Sequence, residues 1–190
     1  MIRIGILGKI GSGKSYVADS FGFPVFNADK EVAKIYKKDK KIFIKLNKIL
    51  PKYIHSFPIN KNEITNAILS NKNNLKKIVT IVHKEIRKKK KLFLNKNKKK
   101  KAIIFDIPLL LENKLYRKND LLIFIESRKK DIEKKLKKRP GYNRKLINKF
   151  KKLQFSAQYK KKRSHFIIKN NFTKKSIKIA IKNILDKIIK

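Results

Sequence analysis

Glycine is scarce in this chain, 6 among 190 residues, yet four of the six (Gly5, Gly8, Gly11 and Gly13) fall within nine consecutive positions. Glycine is favoured where backbone bends sharply or another group approaches it closely. The neighbours of the cluster narrow its meaning. Gly8-Lys9-Ile10-Gly11-Ser12-Gly13-Lys14-Ser15 matches G-x-x-x-x-G-K-[ST], with the apolar run Ile2-Arg3-Ile4-Gly5-Ile6-Leu7 before it and helical spacing after it. In that setting successive N–H groups, those of Gly11, Ser12 and Gly13 among them, turn inward around phosphate oxygens. The following helix adds the partial positive charge of its N-terminus. Lys14 is placed to reach the β- and γ-phosphates of a bound ATP, and the Ser15 hydroxyl to ligate Mg²⁺.

The rest of the chain alternates strand-like and helical patterns. Val17, Ala18 and Phe21 share one face of a helix that Gly22 stops, and Pro24-Val25-Phe26 reads as a short strand ending in Asn27-Ala28-Asp29. Residues 30–49 read as helical with Val32, Ile35 and Tyr36 on one side, and Pro51 and Pro58 bound an irregular stretch. A long helix is expected from about Asn74, carrying Leu75, Ile78, Val79, Val82 and Ile86. Residues 102–106 and 121–125 are apolar enough for central parallel strands. Ile132 and Leu136 mark a helix ending near Arg139-Pro140-Gly141. A strand at 166–168 precedes an amphipathic helix with Ile177, Ile181, Ile184, Leu185 and Ile188. The expected fold is a three-layer α/β arrangement around a parallel sheet. Its core covers about 1–29, 100–138 and 165–190, a helical substrate-side segment about 30–99, and a basic lid about 139–164.

Lys and Arg number 54 against 13 Asp and Glu, a formal net charge of +41. A basic stripe is the usual footprint of a nucleic-acid binder. Here lysine occupies almost every polar position, including the tracts 88–91 and 98–101, in the company of Ile and Asn. That pattern points to A- and T-rich coding rather than to a nucleic-acid face, and no specific nucleic acid is expected. A third reading is recruitment of polyanionic substrates. The absence of cysteine excludes disulfides. No uncharged apolar run reaches the roughly 18 residues of a membrane span, and the strand-like start at Met1 leaves no room for a signal peptide. A cytoplasmic protein, monomeric or weakly oligomeric, is expected. A GTPase is disfavoured: there is no Asn-Lys-x-Asp segment, and the one Asp-x-x-Gly match, Asp19 to Gly22, closes the first helix.

Beyond the loop, several residues are candidates for chemistry. Asp29 follows the second strand, where a carboxylate could orient and deprotonate an acceptor hydroxyl; it could equally cap the next helix. Asp106 ends a strand, a suitable place for a carboxylate that contacts Mg²⁺ directly or through water. Arg139 and Arg144 lie in the lid segment, where a guanidinium could close on the γ-phosphate. His83, on the long helix, reads either as a substrate contact or as a packing residue.

Taken together these segments resemble the dephospho-CoA kinases. The resemblance rests on Gly8 to Ser15, Asn27-Ala28-Asp29, Val82-His83, Asp106-Ile107-Pro108-Leu109-Leu110-Leu111-Glu112, Arg139 with Gln154, and Ile168-Lys169-Asn170, in the family's order along nearly the whole chain. It implies transfer of the ATP γ-phosphate to the 3′-hydroxyl of dephospho-CoA by a P-loop core with a helical CoA-binding insertion and a lid. It implies Asp29 as base with Lys14 and Arg139 catalytic, Gly11 to Tyr16 with Arg139 and Asn170 binding ATP, and Asp29, His83, Asp106, Leu110 and Glu112 on the substrate side. Asn27 stands where Asp is common in that family, Lys84 where Pro is usual, and Ser164-His165 where Ala-Asp is usual. Other small-acceptor P-loop kinases, acting on nucleosides or their monophosphates, share the loop and lid and form the competing reading, with a basic nucleic-acid-binding protein as a further alternative.

Overall fold

A strand that is apolar on both faces is stable only where a sheet is covered on both sides. Ile2–Gly8 (β1), Ala102–Asp106 (β3) and Leu121–Glu126 (β4) are such strands, and they form the middle of the sheet. Val25–Asn27 (β2) and Phe166–Lys169 (β5) flank them, giving the order β2-β3-β1-β4-β5. All pairings are parallel, with Ile2 opposite Ala102, Gly5 opposite Leu122, Asn27 opposite Asp106 and Glu126 opposite Lys169. This structure is a computed structural model and describes residues 1–189.

Side chains alternate across each strand, and the two faces are covered differently. Ile4, Ile6, Ala102, Ile104, Ile123, Ile125 and Ile168 meet Val17, Ala18 and Phe21 of the segment beginning with Lys14–Ser20 (α1), and Ile177, Ile181 and Ile184 of Lys174–Ile188 (α9). On the opposite face Leu110 lies over Gly5, where an added Cβ would stand 2.7 Å from its Cδ2. Lys129–Lys137 (α6), Arg144–Lys151 (α7) and Ala157–Lys162 (α8) complete this unit. Helices enclosing a parallel sheet make it a three-layer α/β structure. β1 runs up the middle, so the loop after it emerges between β3 and β4, at the carboxyl edge where such sheets place their ligands.

Chain contacts separate this unit, Met1–Asn27 with the chain from Asn97 onward, from a second one, Ala28–Lys96. The second is helical: Ala28–Lys38 (α2), Lys40–Ile49 (α3), Lys61–Ser70 (α4) and Lys72–Lys96 (α5). α5 packs on the other three and buries Ile78, Val82 and Ile86 at four-residue spacing, with Asn74 donating to the Ala67 carbonyl at 3.0 Å. Two features refine the expectation. The helical stretch 30–49 divides into two helices, because the Asp39 carboxylate accepts from the Ile42 N–H at 3.1 Å and starts a new one. α4 lies beyond Pro58, within the segment expected to be helical: Asn60 caps it at 2.8 Å, and it buries Ile64, Ala67 and Ile68. Among the described residues no helix is long and apolar enough to cross a membrane.

The Asp39 cap gives a direct test. Asp39→Ala should cost about 0.5–2 kcal/mol of stability, as loss of an N-cap does, while Asp39→Asn or Asp39→Ser should recover most of it. Urea denaturation followed by far-UV circular dichroism reads both.

Candidate active site

The backbone of the Gly-rich loop takes conformations open to glycine. Gly11 has φ +85° and Gly13 φ +87°. A Cβ on Gly11 would lie 2.8 Å from Leu136 Cγ, and one on Gly13 would collide with Asn170 Nδ2. The loop is therefore closely walled at both glycines. Its peptides are also held by named partners. The Ser12 carbonyl accepts from Ser127 Oγ at 3.0 Å and from Asn170 Nδ2 at 2.9 Å. Ser127 follows β4 and Asn170 follows β5, so two adjacent strand ends fix the orientation of the Ser12–Gly13 peptide. Asn170 is buried, and its Oδ1 accepts from Phe172 N at 2.7 Å, which fixes the amide in turn.

Lys14 Nζ donates to the carbonyls of Gly8 and Lys9, at 3.3 and 3.0 Å, and so lies across the loop. Ser15 and Tyr16, in the first turn of α1, are exposed. Beside them Asn27 Nδ2, at the end of β2, stands 2.6 Å from Asp106 Oδ2 and 3.5 Å from Ser15 Oγ. One amide thus draws together the hydroxyl and the carboxylate that the sequence marks for Mg²⁺. Mg²⁺ prefers hard oxygen ligands and is commonly held by one or two protein groups plus phosphates and water. The pair fits that chemistry, and among the described residues no cluster of three or more His, Cys, Asp or Glu offers a fuller cage.

The chain after β3 turns through Leu109, whose φ of +56° is unusual for a leucine. Leu110 is 2% exposed and belongs to the packing over the sheet. The Glu112 carboxylate is enclosed: its Oε1 lies 2.8 Å from Lys160 Nζ and accepts from Phe155 N at 2.8 Å. Arg139 follows the end of α6 and Arg144 opens α7, both exposed. A cleft of about 440 Å³ opens between Glu126, Ser127, Arg128, Lys169, Asn170 and Asn171, at the carboxyl ends of β4 and β5 beside the loop. In the helical unit Asp29 is the exposed second residue of α2 and His83 is half-buried on α5. Burial and the charge of Arg87 push the His83 imidazole below its ordinary value.

Within the sheet unit the structure brings together the loop, Asp106 and Asn170. Sequence reasoning missed Ser127 as a support of the loop; its signal was position alone, the first residue past a central strand. It also gave no function to Asn27, and none to His165, whose Nδ1 accepts from Leu122 N at 3.0 Å.

The model of the dephospho-CoA kinase family matches residues 2–176. The chain belongs to the dephospho-CoA kinase family. A family member from Wolbachia pipientis wMel is 32% identical over 188 residues, covering 96% of each chain. Dephospho-CoA kinase from Campylobacter jejuni superposes with a TM-score of 0.64 at 22% identity, over 98% of this chain and 96% of that one. TT1252 from Thermus thermophilus does so with a TM-score of 0.77 at 23% identity, over 100% and 98%. The P-loop kinase fold is thus shared at full length, and the chain is an ATP-dependent kinase of the family that phosphorylates dephospho-CoA in coenzyme A synthesis.

In a dephospho-CoA kinase that carries Asn at 27, the amide donates to Asp106 where a carboxylate would repel it. Asn27→Asp would put two carboxylates at hydrogen-bond distance, which only a shared proton or a cation relieves. The variant should melt below the wild type without divalent ions, and Mg²⁺ should raise its Tm more than it raises that of the wild type. Thermal melts with and without Mg²⁺ check this.

The depressed His83 adds a pH dependence of known sign. Its folded-state pKa lies below the unfolded value, so the unfolded chain takes up the proton first as pH falls through about 6.5. Stability should decline over that range, and His83→Asn should flatten the decline in denaturation measured between pH 5 and 7.5.

Proposed function

We propose that this chain moves the γ-phosphoryl group of ATP onto the 3′-hydroxyl of dephospho-CoA, giving coenzyme A and ADP. The observation that carries the reading is the Ser15–Asn27–Asp106 contact, which sets a hydroxyl and a carboxylate beside a braced phosphate loop in a chain of this family.

Gly11 to Tyr16 take the ATP phosphates, and Lys14 leaves the loop carbonyls to bridge β- and γ-oxygens. Ser15 and Asp106 would hold Mg²⁺, which would supply positive charge against the phosphates. The acceptor oxygen attacks the γ-phosphorus in line, the bond to the β-bridging oxygen breaks, and the hydroxyl proton passes to Asp29. Asp29 follows Asn27 by two residues along the chain. Arg139 closes on the γ-phosphate, where its charge is worth most as the bond breaks. Asn170 and the cleft between β4 and β5 receive the nucleoside end of ATP. His83 and the helical unit 28–96 take the CoA side. Leu110 and Glu112 serve that side through the loop they anchor, and the segment 139–164 acts as the lid.

We place the reaction in the cytoplasm of the cell, with the protein a monomer or weak homo-oligomer that requires neither membrane nor nucleic acid.

Purified protein with ATP, Mg²⁺ and dephospho-CoA should form coenzyme A, detected by mass. Asp29→Asn should lower kcat by about 10²–10⁴-fold, the usual span for a general base, with ATP binding retained. Lys14→Ala should lose turnover with Asp29 intact. Turnover of nucleosides or their monophosphates in preference to dephospho-CoA would transfer the reading to another small-acceptor kinase.

A further inference from the structure

The loop also has a support outside the strand ends. Ile10 N donates to Gln154 Oε1 at 3.3 Å, across 144 residues of sequence. The N–H of Ile10 belongs to the same peptide as the Lys9 carbonyl, and a peptide is planar. That carbonyl receives both Ser12 N, at 3.1 Å, and Lys14 Nζ, at 3.0 Å. A side chain that fixes the Ile10 N–H therefore fixes the carbonyl that holds the P-loop lysine.

Gln154 is itself anchored. Its N–H donates to the Lys151 carbonyl at 3.1 Å, and its neighbour Phe155 N donates to Glu112 Oε1, which also pairs with Lys160. Lys160 is buried, 3% exposed, and Glu112 Oε2 is buried with no hydrogen-bond partner. A buried ion pair with an unmatched oxygen is a poor stabiliser, because desolvation offsets its Coulomb gain. What it supplies is placement: it ties the Ala157–Lys162 helix to the loop after β3, and Gln154 stands beside that junction.

We propose that Gln154 is a positioning residue of the phosphate loop. Through the Lys9–Ile10 peptide it sets the stance of Lys14, and through Glu112 and Lys160 it couples the nucleotide loop to the chain that follows β3. The inference rests on the reading of Gly8–Ser15 as the ATP-phosphate site. It also means that the segment from 154 onward belongs to the frame of the site, whereas α7 before it buries none of its residues.

The test compares Gln154→Met, which keeps shape and loses the acceptor, with Gln154→Glu, which keeps the acceptor. In the full-length enzyme Gln154→Met should lower kcat by about tenfold or more, as small misplacements in an active site do, with KM for dephospho-CoA within about twofold of wild type. Amide exchange read by NMR should show Ile10 protected in the wild type and in Gln154→Glu, and unprotected in Gln154→Met. Unchanged kcat in Gln154→Met, or an Ile10 amide that stays protected in it, overturns the proposal. So does a wild-type Ile10 amide that exchanges freely, a result that holds even if Gln154→Met does not fold. Lys14→Ala run alongside separates the two readings: retained turnover there sinks the ATP site itself, while Ile10 exchange still reports on Gln154.

Discussion

Ser12 has its carbonyl held by two donors, and much else in the sheet unit is arranged to make that possible. Ser127 and Asn170 reach it only because β4 and β5 lie side by side, in register, on one flank of β1. A carbonyl held by two donors fixes its whole planar peptide, and with it the direction of the Gly13 N–H. Glycine at 13 follows from the same contact, since any side chain there would collide with the Asn170 amide. The loop is thus preorganised by the strands on one flank, while the hydroxyl and carboxylate beside it are gathered by Asn27 from the other.

Charge economy gives the structure a second theme. With 13 acidic residues against 54 basic ones, carboxylates are the limiting resource. Those enclosed in the sheet unit all sit at junctions: Asp106 at the end of β3, Asp120 gripping Arg3 with its Oδ1 3.0 Å from the guanidinium Nε, and Glu112 with Lys160. Most lysines lie on the exterior, where exposed pairs such as Lys34 with Glu31 contribute little. The net charge of +41 is therefore carried by the surface, and the buried acids govern geometry rather than net charge.

The central strands and the loop were legible because their signals are local. Near-continuous apolar runs at 102–106 and 121–125 admit few other placements, and the spacing of Gly8, Gly13, Lys14 and Ser15 carries its chemistry with it. The helical character of 30–49 was legible from its apolar spacing, but the division at Asp39 rests on one capping residue and is easily overlooked. His165 shows the opposite case: nothing in its neighbourhood signals that its ring takes the Leu122 N–H, an amide outside the strand pairing that begins at Phe166.

What the sequence determined by itself was a set of local features: a Gly-rich loop of the P-loop pattern between a strand and a helix, carboxylates at strand ends, and a chain-long likeness to one kinase family. These are readable because strand, turn and helix propensities act over a few residues. What only the tertiary structure decided was which distant side chains hold those features in place. Ser127, Asn170 and Gln154 lie 115, 158 and 144 residues from their partners in the loop. No local pattern encodes such contacts, because they exist only once sheet order and register bring the strand ends and the loop together.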